Sequence, residues 1–337
     1  MDSGSASDDQ EFPDYRDKNG EYTPVSLEGL AVGPTEDFDL FVRAGSDYFL
    51  VKPKKMRTSP EMIARYRGTH PYLYIRSSDR DPYYKMIQSG TSKIIRSVSV
   101  PIREKAAILT DCAVEIVDRL FSDPGDPATM SEAKHFTQDC VLFIGQQQHA
   151  FLHLVELSNH DHYTYAHSVG VAAYSIALAK VLGVYNPADL ANIGLAGLLH
   201  DIGKCLIDPA IINKRGPLDE DEWAVMKKHP EYGADILKRH KSIAPVVIAA
   251  AESHHENLVG TGYPRRVRLS QLDQIVRIVS LADAFSALTT KRSYSPARDS
   301  ANALMLMKEN VDKKFDSNLF KKFVMLFLDP QQQKKAA

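Results

Sequence analysis

The sequence predicts a mainly α-helical protein, with a C-terminal helical bundle preceded by a small α+β domain. Strand and turn signals are confined to about residues 30–85, and helical periodicity takes over from Lys85 onward. After residue 150 the chain reads as at least six helices, with histidines and aspartates near their ends. Because the chain has 337 residues, 44% of them hydrophobic, it can form two domains and bury a sizeable core.

The amino-acid composition excludes several classes of protein function. A net charge of −2 is too balanced for a dedicated nucleic-acid binder. Three widely spaced cysteines, Cys112, Cys140 and Cys205, form neither a disulfide framework nor a cysteine-based zinc site, which favours a reducing compartment. Since no apolar stretch approaches about 18 residues, we predict no signal peptide, no membrane span and a cytoplasmic location.

The N-terminal domain is predicted over residues 30–85 as a small α+β unit. Phe38–Val51 contains two short apolar runs around an Ala-Gly-Ser-Asp turn, which indicates a hairpin. Ser59 followed by Pro60 is a helix start signature. The alternation in Pro71–Ser77 predicts a further strand.

Three further segments complete the predicted organisation. We expect residues 1–25 to be a disordered tail, because this acidic, Ser-rich stretch has few apolar side chains to bury. Two helices, separated by a break at Ser122–Ala128, are interpreted as a helical linker over residues 86–145. Residues 146–330 are then predicted to form a further helical domain, which contains the histidines and aspartates noted above.

The first chemically notable residues lie on two successive helices. His167 lies on a face of Val, Ala and Ile, where a histidine alone is more often a satisfied core residue than a ligand. The next helix begins at Asn186 and Pro187, runs through apolar residues and ends with His200 and Asp201. A buried imidazole beside a carboxylate needs a partner, and metal coordination is one solution.

The following segments continue the pattern. Lys204 follows Asp201 by three residues, so in a helical turn it shares that face and could contact a phosphate. A capping box from Asp219 to Glu222 starts a helix that runs to His229, where a proline forces a new start.

A histidine pair and a buried aspartate complete the constellation. His254 and His255 end a helix of small residues, and their side chains project about 100° apart, as two neighbouring ions would require. Asp283 continues an apolar stripe one turn on, and nothing beside it supplies a buried cation. That stripe consists of Leu272, Ile275, Val276 and Val279.

Five imidazoles and two carboxylates therefore come from five helices. They are His167, His200, Asp201, His229, His254, His255 and Asp283. Seven ligands exceed the needs of one tetrahedral ion, and mixed nitrogen and oxygen donors without thiolate suit iron, manganese or zinc. Two ions about 3.5–4 Å apart, bridged by Asp201 and a hydroxide, are the arrangement that hydrolyses phosphate esters.

The motifs from about Tyr163 to Tyr294 resemble the HD-GYP family. This is a branch of the HD-domain phosphohydrolases whose members hydrolyse the bacterial messenger cyclic di-GMP. The matching strings, in order over about 130 residues, are YTYAHS, LHDIGK, KRGPLDEDEW with MKKHP, HHENLVGTGYP and LADAFSALTTKRSY. The resemblance implies an HD-type helical bundle.

The resemblance also implies residue roles. All seven residues of the constellation would be metal ligands, Lys204 and Arg292 would contact substrate phosphate, and Gly262 and Tyr263 would line the substrate pocket. Asp201 and Lys204 are the residues expected to act in catalysis. We expect two divalent ions, iron ahead of manganese or zinc. The expected partners are cyclic di-GMP and diguanylate cyclase-type signalling proteins, with no nucleic acid polymer and no membrane.

The sequence departs from the family pattern at three positions. Val259 stands where an acidic residue is usual, and Asn257 stands where a basic residue is common. Some members place a Glu one turn before the first ligand histidine to serve a third metal, and here that residue is Tyr163. Because a phenol with an ordinary pKa near 10 is a poor ligand at neutral pH, we predict two ions only.

The function predicted from these observations is a metal-dependent phosphodiesterase that hydrolyses cyclic di-GMP to linear pGpG, and only slowly onward to GMP. One alternative is a catalytically weak HD-GYP-like domain that binds cyclic dinucleotide as a signalling module. A phosphohydrolase of mononucleotides is a third interpretation, disfavoured because such enzymes need not carry the GTGYP loop.

Overall fold

The computed structural model describes residues 21–27, 29–70, 72–147, 149–158, 163–214, 216–290, 298–309 and 311–328. Its strands are β1 (Tyr22–Ser26), β2 (Leu40–Ala44), β3 (Asp47–Lys52) and β4 (Tyr72–Arg76). Its first helices are α1 (Pro60–Arg67), α2 (Arg80–Arg96), α3 (Ile102–Ser122), α4 (Pro127–Ile144) and α5 (Ala150–Ser158). Next come α6 (Tyr163–Val181), α7 (Pro187–Leu199), α8 (Pro209–Ile212), α9 (Glu220–Met226) and α10 (His229–Lys238). The last are α11 (Pro245–Ser253), α12 (Gln274–Thr289), α13 (Ser300–Lys308), α14 (Val311–Lys314) and α15 (Ser317–Val324).

The predicted fold class is confirmed. The chain divides into two compact units, one ending at Ser89 and the other beginning at Gly90. The first unit holds a four-stranded sheet, and the second is helical in its described residues. Among the described residues, none of the helices has the length and apolar character needed to cross a bilayer.

The sheet of the first unit has the strand order β1-β4-β2-β3, and its paired strands are antiparallel. The predicted hairpin is confirmed as β2 and β3, with Gly45 at φ 66° in the turn between them. The predicted helix is α1, where the Ser59 hydroxyl accepts a hydrogen bond from the Met62 N–H at 3.2 Å. The predicted strand near residue 75 is β4.

The expectation of a disordered tail through residue 25 is wrong for its last residues. Residues 1–20 lie outside the described part, but Tyr22–Ser26 forms β1 and pairs with β4, with Val25 buried. Because β1 is an edge strand, Pro24 is tolerated within it. Its pairing partner lies some 50 residues later in the chain, so no local pattern predicts it.

Lys52, at the end of β3, is completely buried in the first unit. Its ammonium donates to four backbone carbonyls, at 2.6 Å (Thr35), 2.7 Å (Phe38), 3.0 Å (Met56) and 3.3 Å (Pro53). The charge is therefore solvated by the chain itself in place of water, and it ties together the loops on either side of the hairpin.

The helical linker predicted for residues 86–145 is also corrected. Within the second unit α3 packs against α4, α5 and α6, while α4 packs against α7. Both helices bury side chains along their length, so they belong to the bundle core. The sequence shows that each helix has an apolar face but not which helix covers it.

The core of the second unit is built around α6, which packs on α7 and α12. Helix α7 begins at the predicted Asn186 cap and ends at Leu199, and a 3-10 turn follows over Ile202–Leu206. That turn packs on α10 so closely that a Cβ on Gly203 would lie 2.0 Å from the carbonyl oxygen of His229. Only glycine allows this approach.

Candidate metal centre

The seven predicted residues meet in the second unit. His167 lies on α6, His200 and Asp201 follow α7, and His229 is the first residue of α10. His254 and His255 follow α11, and Asp283 lies on α12. They form two groups in which the potential ligand atoms lie within 4.8 Å of one another: Asp201, His229, His254 and His255, and His167, His200 and Asp283.

Asp201 lies between the two groups. Its Oδ1 is 3.2 Å from Nε2 of His229 and 3.7 Å from Nε2 of His254. Its Oδ2 is 3.3 Å from Nε2 of His200 and 3.6 Å from Nε2 of His167. The two oxygens of this carboxylate thus face different groups of histidines, an arrangement that suits a carboxylate shared by two cations.

Asp283 closes the other side of the cluster. Its Oδ1 lies 3.2 Å from Nε2 of His167 and 3.7 Å from Nε2 of His200. Its Oδ2 lies 3.9 Å from Nδ1 of His255. The aspartate that the sequence places on a core stripe therefore turns its carboxylate toward imidazoles.

Backbone carbonyls fix the orientation of three rings. Nδ1 of His200 lies 2.7 Å from the carbonyl oxygen of Gly197. Nδ1 of His229 lies 2.8 Å from the carbonyl oxygen of Met226. Nδ1 of His254 lies 3.0 Å from the carbonyl oxygen of Ala251. Since a carbonyl only accepts, each Nδ1 carries a hydrogen and donates. Nε2 of each ring then points into the cluster, which is the usual arrangement of metal-ligating histidines.

The fourth oriented ring uses a residue that sequence reasoning missed. Nδ1 of His167 lies 3.1 Å from the hydroxyl of Ser286, which is buried on α12. Ser286 follows Asp283 by one helical turn and shares its face, and that spacing is the signal that could have found it.

The cluster holds negative charge that is ready to meet cations. Burial acts to raise the pKa of Asp201, but Lys204 and His200 outweigh it and hold the pKa well below its usual range. The Lys204 ammonium lies 2.5 Å from Oδ2 of Asp201, so this predicted phosphate contact lies beside the cluster. Burial also lowers the pKa of His229 and His255, which keeps their rings neutral and able to ligate.

The surroundings of His200 indicate most directly what the cluster can bind. Its Nε2 is completely buried and makes no hydrogen bond within the described residues, although carboxylate oxygens lie 3.3 and 3.7 Å away. Burial acts to lower its pKa, but Asp201 and Asp283 raise it to about 10. A site that draws positive charge between two buried carboxylates, with nitrogen and oxygen donors and no thiolate, fits divalent metal ions.

The glycine-rich loop lies against the cluster. A Cβ on Gly262 would lie 2.4 Å from the carbonyl oxygen of His255, so glycine is required for this approach. The Tyr263 ring packs on the His255 ring with centroids 4.6 Å apart. Asn257 accepts a hydrogen bond from the Thr261 N–H at 3.0 Å, which closes the loop on itself.

A buried carboxylate that the sequence did not flag secures this loop. Glu256 is 2% exposed, and its Oε1 accepts the Arg265 N–H at 2.7 Å. The Arg265 guanidinium donates to the Ser253 hydroxyl at 2.9 Å and lies 3.2 Å from Glu252. In the sequence Glu256 is only the residue that follows the histidine pair, and that position does not indicate that it is buried.

Two predicted residues cannot be placed. Arg292 lies outside the described residues, and α6 begins at Tyr163, whose side chain also lies outside them. Their predicted roles stay predictions.

Comparison with known proteins agrees with this geometry. A family model for the HD domain matches residues 141–319, which is more than half of the chain. A cyclic di-GMP phosphodiesterase of Pseudomonas aeruginosa is 34% identical over 221 residues, covering 65% of this chain and 53% of the relative. A 3'3'-cGAMP-specific phosphodiesterase of Vibrio cholerae is 39% identical over 160 residues, covering 47% of this chain and 34% of the relative. The chain thus spans about half or less of the length of these relatives.

A solved structure shares the fold over nearly the whole chain. It is an HDG"Y"P protein from Bdellovibrio bacteriovorus, with a TM-score of 0.67 and 22% sequence identity. The match covers 90% of this chain and 98% of that one. At this identity the likeness is evidence of fold.

Proposed function

The chain belongs to the HD-domain family and carries the motifs of its HD-GYP branch, and from that premise we propose that it is a metal-dependent phosphodiesterase acting on cyclic di-GMP. The observation that carries the proposal is the position of Asp201, whose two carboxylate oxygens face two separate groups of histidines. A carboxylate in this position could be shared by two ions.

Two divalent ions would be held by the two groups, with Asp201 shared between them. Bound there, such ions lower the pKa of water and offset charge on the phosphate. Iron is the ion we propose, with manganese or zinc as alternatives, because the donor set mixes nitrogen and oxygen without sulfur.

The chain's own residues would position the substrate around this centre. Lys204 provides a cation beside Asp201, where a non-bridging phosphate oxygen would lie. Tyr263 provides an aromatic surface against His255, and Gly262 allows the loop to approach so closely. Arg292 is the second proposed phosphate contact.

We propose linear pGpG as the main product. Cleavage of one phosphodiester leaves a linear dinucleotide that must be repositioned before the second can be cut. Because Tyr163 replaces the carboxylate that serves a third metal in some relatives of the HD-GYP branch, nothing at that position would anchor the new terminal phosphate. The first unit would be regulatory, diguanylate cyclase-type proteins would be signalling partners, and the cytoplasm the location.

The test is a chromatographic time course with purified, metal-loaded protein and separate samples of cyclic di-GMP, 3'3'-cGAMP and GMP. We expect cyclic di-GMP to be consumed fastest and pGpG to accumulate. The second cyclic dinucleotide is included because relatives specific for it match this chain at up to 44% identity. Faster turnover of 3'3'-cGAMP would reassign the substrate, and prompt stoichiometric GMP would refute the product.

The same time course distinguishes the two rival functions. Saturable binding of cyclic di-GMP without turnover would identify a binding module. Release of inorganic phosphate from GMP would indicate a phosphohydrolase of mononucleotides.

A further inference from the structure

The chain contains a single tryptophan, Trp223, and it lies near the candidate metal centre. It belongs to α9, a short helix with no fully buried residue, and 45% of its surface is exposed. A large apolar side chain used only for packing is normally buried far more completely. Other large apolar side chains are exposed as well, but Trp223 also contacts a ring that packs on a proposed ligand.

Ring contacts connect Trp223 to the metal cluster. The indole meets the Tyr263 ring edge to face, with centroids 6.1 Å apart and planes at 77°. Tyr263 in turn packs on His255, one of the proposed ligands, with centroids 4.6 Å apart and planes at 30°. Ring contacts therefore lead from the cluster through Tyr263 to the half-exposed indole, whose plane is steeply inclined to the Tyr263 ring.

Hydrogen bonds hold the backbone segments that carry the two rings. Helix α9 begins with the Asp219 and Glu222 capping box, and Lys214 donates a hydrogen bond to Glu222. The Tyr263 N–H donates to the carbonyl oxygen of His255 at 3.3 Å. A surface fixed before binding loses little entropy when a flat ligand stacks on it.

We propose that Trp223 and Tyr263 form an aromatic wall in which the Trp223 indole, braced by the edge-to-face contact with Tyr263, stacks one purine base of the substrate, and that Trp223 is a specificity-determining residue. This inference rests on the proposed function, which places the scissile phosphate at the cluster. A ribose separates each phosphate from its base, so the base of the same nucleotide extends beyond the cluster. A flat, uncharged face is what a base requires there, and the indole supplies it.

Stacking on this wall contributes binding energy that is the same before and during the reaction. Replacing Trp223 should therefore raise KM while kcat stays nearly constant. Base stacking on an aromatic side chain, measured by alanine substitution, corresponds to a change in affinity of roughly 5- to 150-fold.

The first experiment uses the single tryptophan as its own reporter. Metal-loaded protein is titrated with GMP and, separately, with ribose 5-phosphate, while indole fluorescence is recorded and corrected for absorption by the base. We expect saturable quenching by GMP and none by ribose 5-phosphate. Equal responses to both, or no response to GMP, would overturn the proposal.

The second experiment measures the steady-state kinetics of cyclic di-GMP hydrolysis. Trp223→Ala should raise KM by about tenfold with kcat within about twofold, and Trp223→Phe should restore most of the affinity. Tyr185→Ala is the matched control, since Tyr185 is 77% exposed and precedes α7, about 20 Å from His200 along that 13-residue helix. An unchanged KM, or a loss confined to kcat, would contradict the wall.

The two experiments separate this inference from the proposed function. If the wild-type protein turns over none of the cyclic dinucleotides, the proposed function fails, and the fluorescence titration alone then decides whether the wall binds a purine. If turnover is robust and quenching by GMP is absent, the function stands and the wall is wrong.

Discussion

Both units bury charged groups, but the hydrogen bonding around those groups differs between the two units. In the first unit the Lys52 ammonium donates to four carbonyls between 2.6 and 3.3 Å, so its hydrogen-bonding capacity is satisfied by nearby backbone. In the second unit two aspartates and five histidines face one another, and Nε2 of His200 makes no hydrogen bond within the described residues.

This difference separates a structural charge from a functional one. A buried charge that only stabilises the fold is surrounded by partners that satisfy it, because an unsatisfied group costs free energy. A site that is to bind cations keeps its donor atoms directed at a common point, and hydrogen bonds on the outer side of several rings hold them in that orientation. The outer hydrogen bonds from Nδ1 to Gly197, Met226 and Ala251 fit this description.

The largest expected effect comes from removing the shared charge of the cluster. Asp201→Asn keeps the shape of the side chain but removes the carboxylate that faces both groups. We expect metal content to fall from about two ions per chain to well below one, with cyclic di-GMP turnover lost. Elemental analysis of protein that remains folded by circular dichroism checks this.

Asp189→Asn is the control for that variant, since Asp189 is an exposed residue in the first turn of α7, at the far end from Asp201. It should retain both ions. A normal metal content in Asp201→Asn would mean that this carboxylate is as structural as Lys52.

The second expected effect is on stability alone. Lys52→Met leaves the carbonyls of Thr35 and Phe38 buried without their donor, which should cost about 2–5 kcal/mol of unfolding free energy in the first unit. Lys55→Met, an exposed lysine of the same loop, should cost less than about 0.5 kcal/mol. Denaturant titration measures both variants.

The comparison between units also requires that metal content stays at the wild-type value in Lys52→Met. Loss of metal in this variant would show that the two buried charge systems depend on each other.

A smaller effect on metal binding is expected when the hydrogen-bond partner of the His167 ring is removed. Ser286→Ala removes the hydroxyl that lies 3.1 Å from Nδ1 of His167, and metal affinity should fall about 10- to 100-fold. Competition with a chelator measures the change. Ser175→Ala should have no effect on affinity, because that buried hydroxyl has no hydrogen-bond partner within the described residues. Equal affinities in both variants would show that His167 needs no outer partner.

The smallest effect concerns the start of the helix that carries His200. Asn186 accepts hydrogen bonds from the N–H groups of Ala188 and Asp189 at 2.8 and 3.4 Å. Asn186→Ala should lower the free energy of unfolding by about 1 kcal/mol, and Asn186→Gly by only a few tenths. Both variants should bind metal normally. A change of metal content would mean that the cap helps to set the cluster geometry.

Features encoded locally were predictable from the sequence. The helix starts at Ser59, Asn186 and Asp219 were found because a cap and its partner lie within three residues of each other. The seven residues of the cluster were found because a histidine or carboxylate on an apolar stripe needs a partner, whatever the fold. In the structure all seven come together.

Features that depend on distant pairing were missed. Strand β1 is defined by pairing with β4, and the four carbonyls around Lys52 come from turns whose shape the sequence does not show. The sequence predicts a linker where α3 and α4 pack in the core, because the apolar face of a helix does not show which other helix covers it.

The contact between Gly203 and α10 has a consequence for how this protein can diverge. The turn that follows Asp201 meets Gly233 and the carbonyl of His229 backbone to backbone, so the spacing between these parts of the site does not depend on the size of any core side chain. Neighbouring core positions can then be substituted by other hydrophobic residues without moving the proposed metal-ligating residues. Gly203 itself tolerates no such substitution, since a single added methyl group would push two ligand-bearing segments apart.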